Sequence, residues 1–224
     1  MTSVHDPEVV SAATEARAAT FPTRRYPDAS SYFDDYHAIL DRAACTIDRA
    51  AVGRAARLLL DAHARGSCVF ACGNGGSASI ANHLQCDHVK GIRTATDLAP
   101  RVMSLSTNVE LLSAIANDMG YENVFVYQLQ SQARPGDALI AVSSSGRSPN
   151  IVNALTWARD HGLRTIALTG FGGGAARTVA EVAVHVDCAN YGIVEDLHQG
   201  IMHALAQYIR QSRMTPEAIS ASVF

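Results

Sequence analysis

The 224-residue chain has no CxxC pair, no excess of basic residues and no apolar run near the roughly 20 residues that cross a bilayer. Its five cysteines, Cys45, Cys68, Cys72, Cys86 and Cys188, are odd in number, which disfavours a disulfide framework or a zinc ribbon and suits reduced thiols in the cytoplasm. The first residues lack the basic-then-apolar pattern of an export signal. A net charge of -3 with 17% charged residues offers no general attraction to nucleic acid or to an anionic membrane, so neither is an expected partner. The glycine-rich turns also lack the lysine of a nucleoside-triphosphate loop, so triphosphate hydrolysis is not implied.

What remains is a chain with 48% hydrophobic residues, long enough for one α/β domain with a well-buried core and too short for two large ones. Residues 1–30 mix alanine, charge and proline. The run Pro22 to Pro27 would interrupt any helix begun near Pro7, so this stretch reads as an N-terminal appendage. Two helices are predicted next, over about 31–48 and 51–65, with Gly66 as the stop of the second. Short apolar runs then alternate with helical stretches: Val69 to Cys72, Val102 to Leu105, Ala138 to Ser143, Thr165 to Thr169 and Val182 to Val186. This alternation predicts a mostly parallel sheet covered on both faces, with ligands at the carboxyl ends of its strands. A last helix over about 192–212 closes the domain, which gives residues 31–212 as the domain and 213–224 as a C-terminal tail.

Two loops that follow predicted strands carry the groups a phosphate needs. In CGNGGSASIANH, from Cys72 to His83, the turn Asn74-Gly75-Gly76 permits close backbone approach and Ser77 is the expected N-cap of the next helix. Free amide groups at that helix start would face an anion. In the second loop, Ser143, Ser144, Ser145 and Ser148 supply hydroxyl and amide donors around Gly146, with Arg147 ranked below them. Taken singly, each loop reads equally well as helix capping after a strand. A third loop, Thr169 to Gly174, offers backbone freedom without side-chain chemistry and is left outside the site.

Histidine and carboxylate spacing is the other signal. His83 and Asp87 stand four apart on the helix that follows the glycine turn, and the last helix carries Glu195, His198 and His203. Two histidines with carboxylates suit zinc or another divalent ion. Yet Glu195 and His203 are about 12 Å apart along a regular helix axis, an awkward reach for one ion. Hydrogen-bonded core or interface histidines explain the spacing equally well. Asn117 and Asp118, after a predicted helix from Asn108 to Ala116, are either substrate-hydroxyl contacts or a turn signature.

Four segments in this order, CGNGGSASIANH, AIANDMGYENVF, AVSSSGRSPNIVNAL and IALTGFGGG, resemble the sugar isomerase (SIS) domains, and within them the phosphoheptose isomerase branch. The resemblance runs from about Ser31 to Arg210. It implies an α/β fold, a three-layer αβα sandwich around a five-stranded parallel sheet preceded by N-terminal helices. It also implies a homotetramer with active sites near subunit boundaries. The activity implied is interconversion of sedoheptulose 7-phosphate and D-glycero-D-manno-heptopyranose 7-phosphate.

By position, the resemblance makes Asn74, Gly75 and Gly76 the substrate-binding turn, Asn117 and Asp118 an Asn-Asp pair at the substrate, and Ser143, Ser144, Ser145 and Ser148 the phosphate-binding serines. His83 and His203 fall on the two zinc histidines. Asp87 stands where the family usually has glutamate, and Glu195 where it usually has glutamine. The resemblance therefore implies a metal set of His83, Asp87, Glu195 and His203, with Asp87 as the base and His203 as its acid–base partner; Glu195, a second carboxylate near one site, is the second candidate base. A different class of relative has the same domain and serves as a non-enzymatic adaptor for the replication initiator. An isomerase or sensor for another sugar phosphate is a third alternative.

Overall fold

The computed structural model describes residues 20–224, so most of the N-terminal appendage, including the segment around Pro7, lies outside the described residues. The fold is set by strands whose side chains are apolar on both faces. Cys68–Gly73 (β1) and Ala138–Ser143 (β3) are buried along their whole length, and Arg164–Thr169 (β4) is buried in all but its first residue. A strand buried on both sides needs covering layers above and below, which parallel pairing with crossover helices provides. Arg101–Ser104 (β2) and Val182–His185 (β5) form the edges and bury alternate residues. Among the described residues the five strands make one parallel sheet in the order β2-β1-β3-β4-β5.

Side-chain alternation divides the core in two. Val69, Ala71, Ile140, Val142, Ile166 and Leu168 face a layer containing Ala29–Cys45 (α1), Arg49–Ala64 (α2), Gly76–Cys86 (α3) and, later in the chain, Tyr191–Gln211. Phe70, Cys72, Leu139, Ala141 and Ala167 face the opposite layer of Val109–Met119 (α4), Val126–Gln132 (α5), Pro149–Asp160 (α6) and Gly174–Val179 (α7). Tyr191–Gln211 is α8, and a short α9, Pro216–Ser220, follows it. The result is a parallel sheet covered on both faces, as the alternation of elements predicts, and the three-layer αβα sandwich that the resemblance implies. No helix among the described residues is long and apolar enough to cross a membrane.

Local signals explain the helix limits. Asp28 and Asp48 accept backbone hydrogen bonds at the starts of α1 and α2, and Gly66, at a φ of 70°, follows the end of α2 as expected. The described part of the N-terminal segment is tied to the domain: Phe21 is buried against Tyr26, Tyr32 and Tyr36, and its carbonyl accepts a 2.8 Å bond from the Asn190 amide. In the C-terminal segment the Arg210 guanidinium lies over the Phe224 ring.

Two local expectations differ from the structure. Ser77 is not the N-cap of α3; Gly75 occupies that position, with φ 53° and ψ -124°, and Ser77 is buried in the first turn. The backbone must pass close to itself here, because a Cβ on Gly73 would collide with the carbonyl of Ser77. Asn117 and Asp118 do not follow α4 but lie inside its last turn, since the helix runs on to Met119 and ends at Gly120.

The helix that begins as α3 does not stop at Cys86. It continues as a π-helical turn, Asp87–Ile92, of the kind that re-aims side chains within a helix. Behind it, His88 is buried and its Nδ1 meets Nε2 of His63 on α2 at 2.9 Å. Burial pushes His63 down to about 4, and burial together with the neighbouring His63 pushes His88 down to about 3. An unfolded histidine takes up its proton near pH 6.5, so below that pH the unfolded chain binds more protons than the folded one and stability falls. The urea midpoint is expected to decline steadily from pH 7 to pH 5, a window above the titration of ordinary carboxylates. A constant midpoint across it would contradict the neutral buried pair.

Candidate functional site

The β1, β3 and β4 strands point the same way, so the loops at their carboxyl ends meet. Asn74, in the first loop, and Asn150, at the start of α6, exchange two amide hydrogen bonds of 2.9 Å each. Asn150 is buried, and the Tyr121 hydroxyl donates a third bond, 3.0 Å, to Asn74. The glycine turn is thus clamped to the serine loop through side chains. Sequence reasoning missed Asn150, although its place two residues after Ser148 at a helix start marks it for the same edge.

In the serine loop, Ser143 accepts from the Gly146 amide and Ser145 from the Arg147 amide, so both hydroxyls help to fold the loop. The Ser144 hydroxyl is buried without a hydrogen-bond partner, and the Ser148 hydroxyl makes no cap bond at the N-terminus of α6. Both remain available to an acceptor at that helix start, where amide groups also favour an anion. Arg147 is exposed. The third loop has a supporting role: Gly170 donates to the Ser144 carbonyl at 2.8 Å, and Ala176 to the Gly146 carbonyl at 3.0 Å. Gly146 and Gly173 approach so closely that a Cβ on Gly146 would collide with the Gly173 carbonyl.

At the far end of α3 the expected histidine and carboxylate groups come together. His83, Asp87 and His203 each present a ligand atom, and these atoms lie within 4.8 Å of one another. Asp87 Oδ2 is 2.7 Å from His203 Nδ1, and Asp87 Oδ1 is 3.3 Å from His83 Nε2. The side chains are 24% exposed for Asp87, 38% for His203 and 48% for His83, so solvent and small ligands can reach them. Bonds of 2.0 to 2.2 Å to zinc place tetrahedral ligands roughly 3.4 Å apart, near the separation of Asp87 from His83 and a little beyond that from His203. Two imidazoles and one carboxylate therefore fit a zinc-like divalent ion.

Glu195 lies outside this group. Its carboxylate packs against Gly76 at the start of α3, so tightly that a Cβ there would collide with it. Burial, with a smaller contribution from Asp196, raises its pKa above the usual glutamate value. Between Glu195 and His203, one turn from each, stands Gln199, which was not expected. Its amide is 3.1 Å from His83 Nδ1 and 2.8 Å from His203 Nε2. The signal was the fourfold spacing 195, 199, 203, which divides the awkward 12 Å span in half. Asn117 and Asp118 are exposed on α4, where the Asn117 amide donates to Asp118 at 2.7 Å. His198 is fully buried in α8, and burial lowers it to about 4.

Residues 31–170 match the family model described as the SIS domain. Over 160 residues the chain is 37% identical to the phosphoheptose isomerase of Akkermansia muciniphila, an alignment covering 71% of this chain and 84% of that one. Among solved structures, it superposes on a phosphoheptose isomerase from Neisseria gonorrhoeae with a TM-score of 0.73 and 29% identity, covering 81% of this chain and 96% of that one. A phosphoheptose isomerase from Francisella tularensis gives 0.74 and 27% identity over the same shares.

The Asn74–Asn150 clamp is directly testable. Asn150→Leu keeps the branched outline of the side chain and removes the amide, leaving Asn74 without its reciprocal partner. A loss of about 1–3 kcal/mol in unfolding free energy is expected from denaturant titration. A change within about 0.5 kcal/mol, the ordinary range for surface substitutions, would contradict the clamp.

Proposed function

The chain belongs to the SIS-domain family, in its phosphoheptose isomerase branch, and from that premise we propose that it interconverts sedoheptulose 7-phosphate and D-glycero-D-manno-heptopyranose 7-phosphate. The observation that carries this reading is the group His83, Asp87 and His203 at one end of a helix whose other end forms the glycine turn. The isomerisation needs a proton moved between adjacent carbons and another between their oxygens. A carboxylate with two imidazoles against it is equipped for both.

In this reading the phosphate lies at the N-terminus of α6, where the unpartnered Ser144 and Ser148 hydroxyls and the backbone amides receive it. Asn74, Gly75 and Gly76 hold the sugar chain, with Asn74 fixed by Asn150. Asn117 and Asp118 address sugar hydroxyls. Zinc, or another divalent ion held by His83, Asp87 and His203, would supply polarisation of the C1 and C2 oxygens of the open-chain ketose.

The chain's own groups move the protons. Asp87 takes a proton from C1 and returns it to C2 by way of an enediol, while His203, hydrogen-bonded to Asp87, shifts the proton between the two oxygens. Glu195 is the alternative base, a second carboxylate whose pKa burial raises above the usual glutamate value. Asp87 is one methylene shorter than the family's usual glutamate. Its place at the first residue of the π-helical turn supports a backbone compensation for that loss.

Cytoplasmic location and assembly as a homotetramer complete the proposal. The exposed Val109, Met119, Tyr121 and Tyr127 on and beside α4 support an interface on that face. The adaptor reading is less well supported, since a scaffold does not require two histidines converging on a carboxylate.

Asp87→Asn tests the assignment of the base. A loss of kcat of at least ~100-fold is expected, with binding of sedoheptulose 7-phosphate retained by calorimetry. In heavy water the unchanged protein should place solvent deuterium at C2 of the aldose. Full activity in the variant, or a product without solvent deuterium, would contradict the mechanism in which the partly buried Asp87 carboxylate carries the proton.

A further inference from the structure

We propose that Tyr121 is a positioning residue of the glycine turn: its hydroxyl holds the Asn74 amide so that a single N–H of Asn74 is left to meet a sugar oxygen. The inference rests on the function proposed above, in which Asn74 holds the sugar chain, and adds to it a side chain from beyond the end of α4. Three observations carry it.

The first is the direction of the amides. The backbone N–H of Ile151 can only donate, and it meets Oδ1 of Asn150 at 3.0 Å, which fixes how the buried Asn150 amide is turned. Asn150 accepts from Asn74 Nδ2 and donates to Asn74 Oδ1, so the orientation passes on to Asn74. Reversing either amide alone would set donor against donor and acceptor against acceptor.

The second is the tally of bonds at Asn74. Its carbonyl oxygen has two lone pairs, one taken by Asn150 and the other by the Tyr121 hydroxyl at 3.0 Å. One hydrogen of its nitrogen goes to Asn150, and the other has no acceptor among the described residues. Asn74 is half-buried, with Gly75 and Gly76 exposed beside it, so a ligand can reach that hydrogen. With Tyr121 in place, Asn74 therefore faces the candidate site as a donor only, matched to a hydroxyl or carbonyl oxygen of a sugar chain. Without the hydroxyl, a lone pair opens on Oδ1, and water or a differently placed group competes for the amide.

The third is how Tyr121 is held. It opens a short helical turn, Tyr121–Asn123, after Gly120 ends α4. Asn153 of α6 donates to the Glu122 carbonyl at 3.2 Å, and Val124 and Phe125 are buried just beyond. The backbone of the turn is thus pinned to the same helix that carries Asn150. The ring is 55% exposed, so its hydroxyl, not deep packing, joins it to the site. The same bond ties the last turn of α4, with Asn117 and Asp118, to the glycine turn.

The test compares the unchanged chain, Tyr121→Phe, Asn74→Ala and the double variant, with sedoheptulose 7-phosphate and with inorganic phosphate as probes. Tyr121→Phe keeps the ring and the apolar face proposed for assembly, and size-exclusion chromatography and thermal melting check that assembly and folding are unaltered. Losing one neutral hydrogen bond should weaken sedoheptulose 7-phosphate ~3- to 10-fold in calorimetric Kd and in KM, with kcat within ~2-fold, because the turn holds substrate and transition state alike. Inorganic phosphate, received at the start of α6, should bind Tyr121→Phe and the unchanged chain equally. In the Asn74→Ala background the substitution should change Kd and KM by less than ~2-fold, the mark of a residue that acts through Asn74. Unaltered Kd and KM in Tyr121→Phe, the same weakening with and without Asn74, or equal weakening of phosphate and sugar phosphate would each overturn the assignment. The side-chain amide NMR signals of Asn74, identified by their loss in Asn74→Ala, report the contact without any ligand; they should shift in Tyr121→Phe, and unmoved signals would also overturn it. If the unchanged chain neither binds nor converts sedoheptulose 7-phosphate while those signals do shift, the proposed function fails, an outcome separate from an error about Tyr121.

Discussion

The short contact between Asp87 and His203 joins residues 116 positions apart and fixes how α3 and α8 lie against each other. Everything at the candidate catalytic centre depends on that register. α3 and the π-helical turn that continues it carry His83 and Asp87, and α8 carries Gln199 and His203. Neither helix has a complete donor set. Their packing on the same face of the sheet, through Ile80, Ala81 and Leu84 on one side and Ile201, Met202 and Leu205 on the other, brings the two half-sets together. The apolar layer thus does for the site what a rigid scaffold must do, holding ligands within a fraction of an ångström while remaining chemically inert.

The second constraint is at the strand ends. Parallel strands deliver their following loops to one edge, and three loops there support one another by backbone and amide hydrogen bonds. The glycines at Gly73 and Gly146 are where chain segments come too close for any side chain. α3 connects this edge to the metal-type group, because its first turn lies in the glycine loop and the residue after its last is Asp87. In the proposed function the sugar-holding turn and the proton-transfer group therefore lie at opposite ends of one helix, with the phosphate beyond the turn, in the serine loop at the start of α6. A sugar phosphate has the same polarity, with its charged end remote from its carbonyl.

Most of the architecture was legible because buried strands and amphipathic helices leave strong apolar patterns, and five strand segments were visible in Val69, Val102, Ala138, Thr165, Val182 and the residues that follow them. The i,i+4 pair His83–Asp87 was legible for the same geometric reason. Other features were hidden by physics that a linear pattern does not carry. Ser77 resembled a cap, but the close passage at Gly73 moves the helix start to Gly75. The π-helical turn at Asp87 leaves the local spacing unchanged. Gln199 and Asn150 are neutral amides, common on surfaces, and acquire significance only from what a distant segment places beside them. Thr169 to Gly174 has no side-chain chemistry, as read, yet its backbone supports the serine loop.

The central claim is that this fold performs a metal-assisted ketose–aldose isomerisation on a heptose phosphate. The most direct measurement follows purified, zinc-replete protein with sedoheptulose 7-phosphate by NMR, before and after chelation and after zinc is restored. The account predicts growth of the aldose 7-phosphate signals to an equilibrium, loss of that growth on chelation and its return with metal. Absence of aldose from the zinc-replete protein would contradict it.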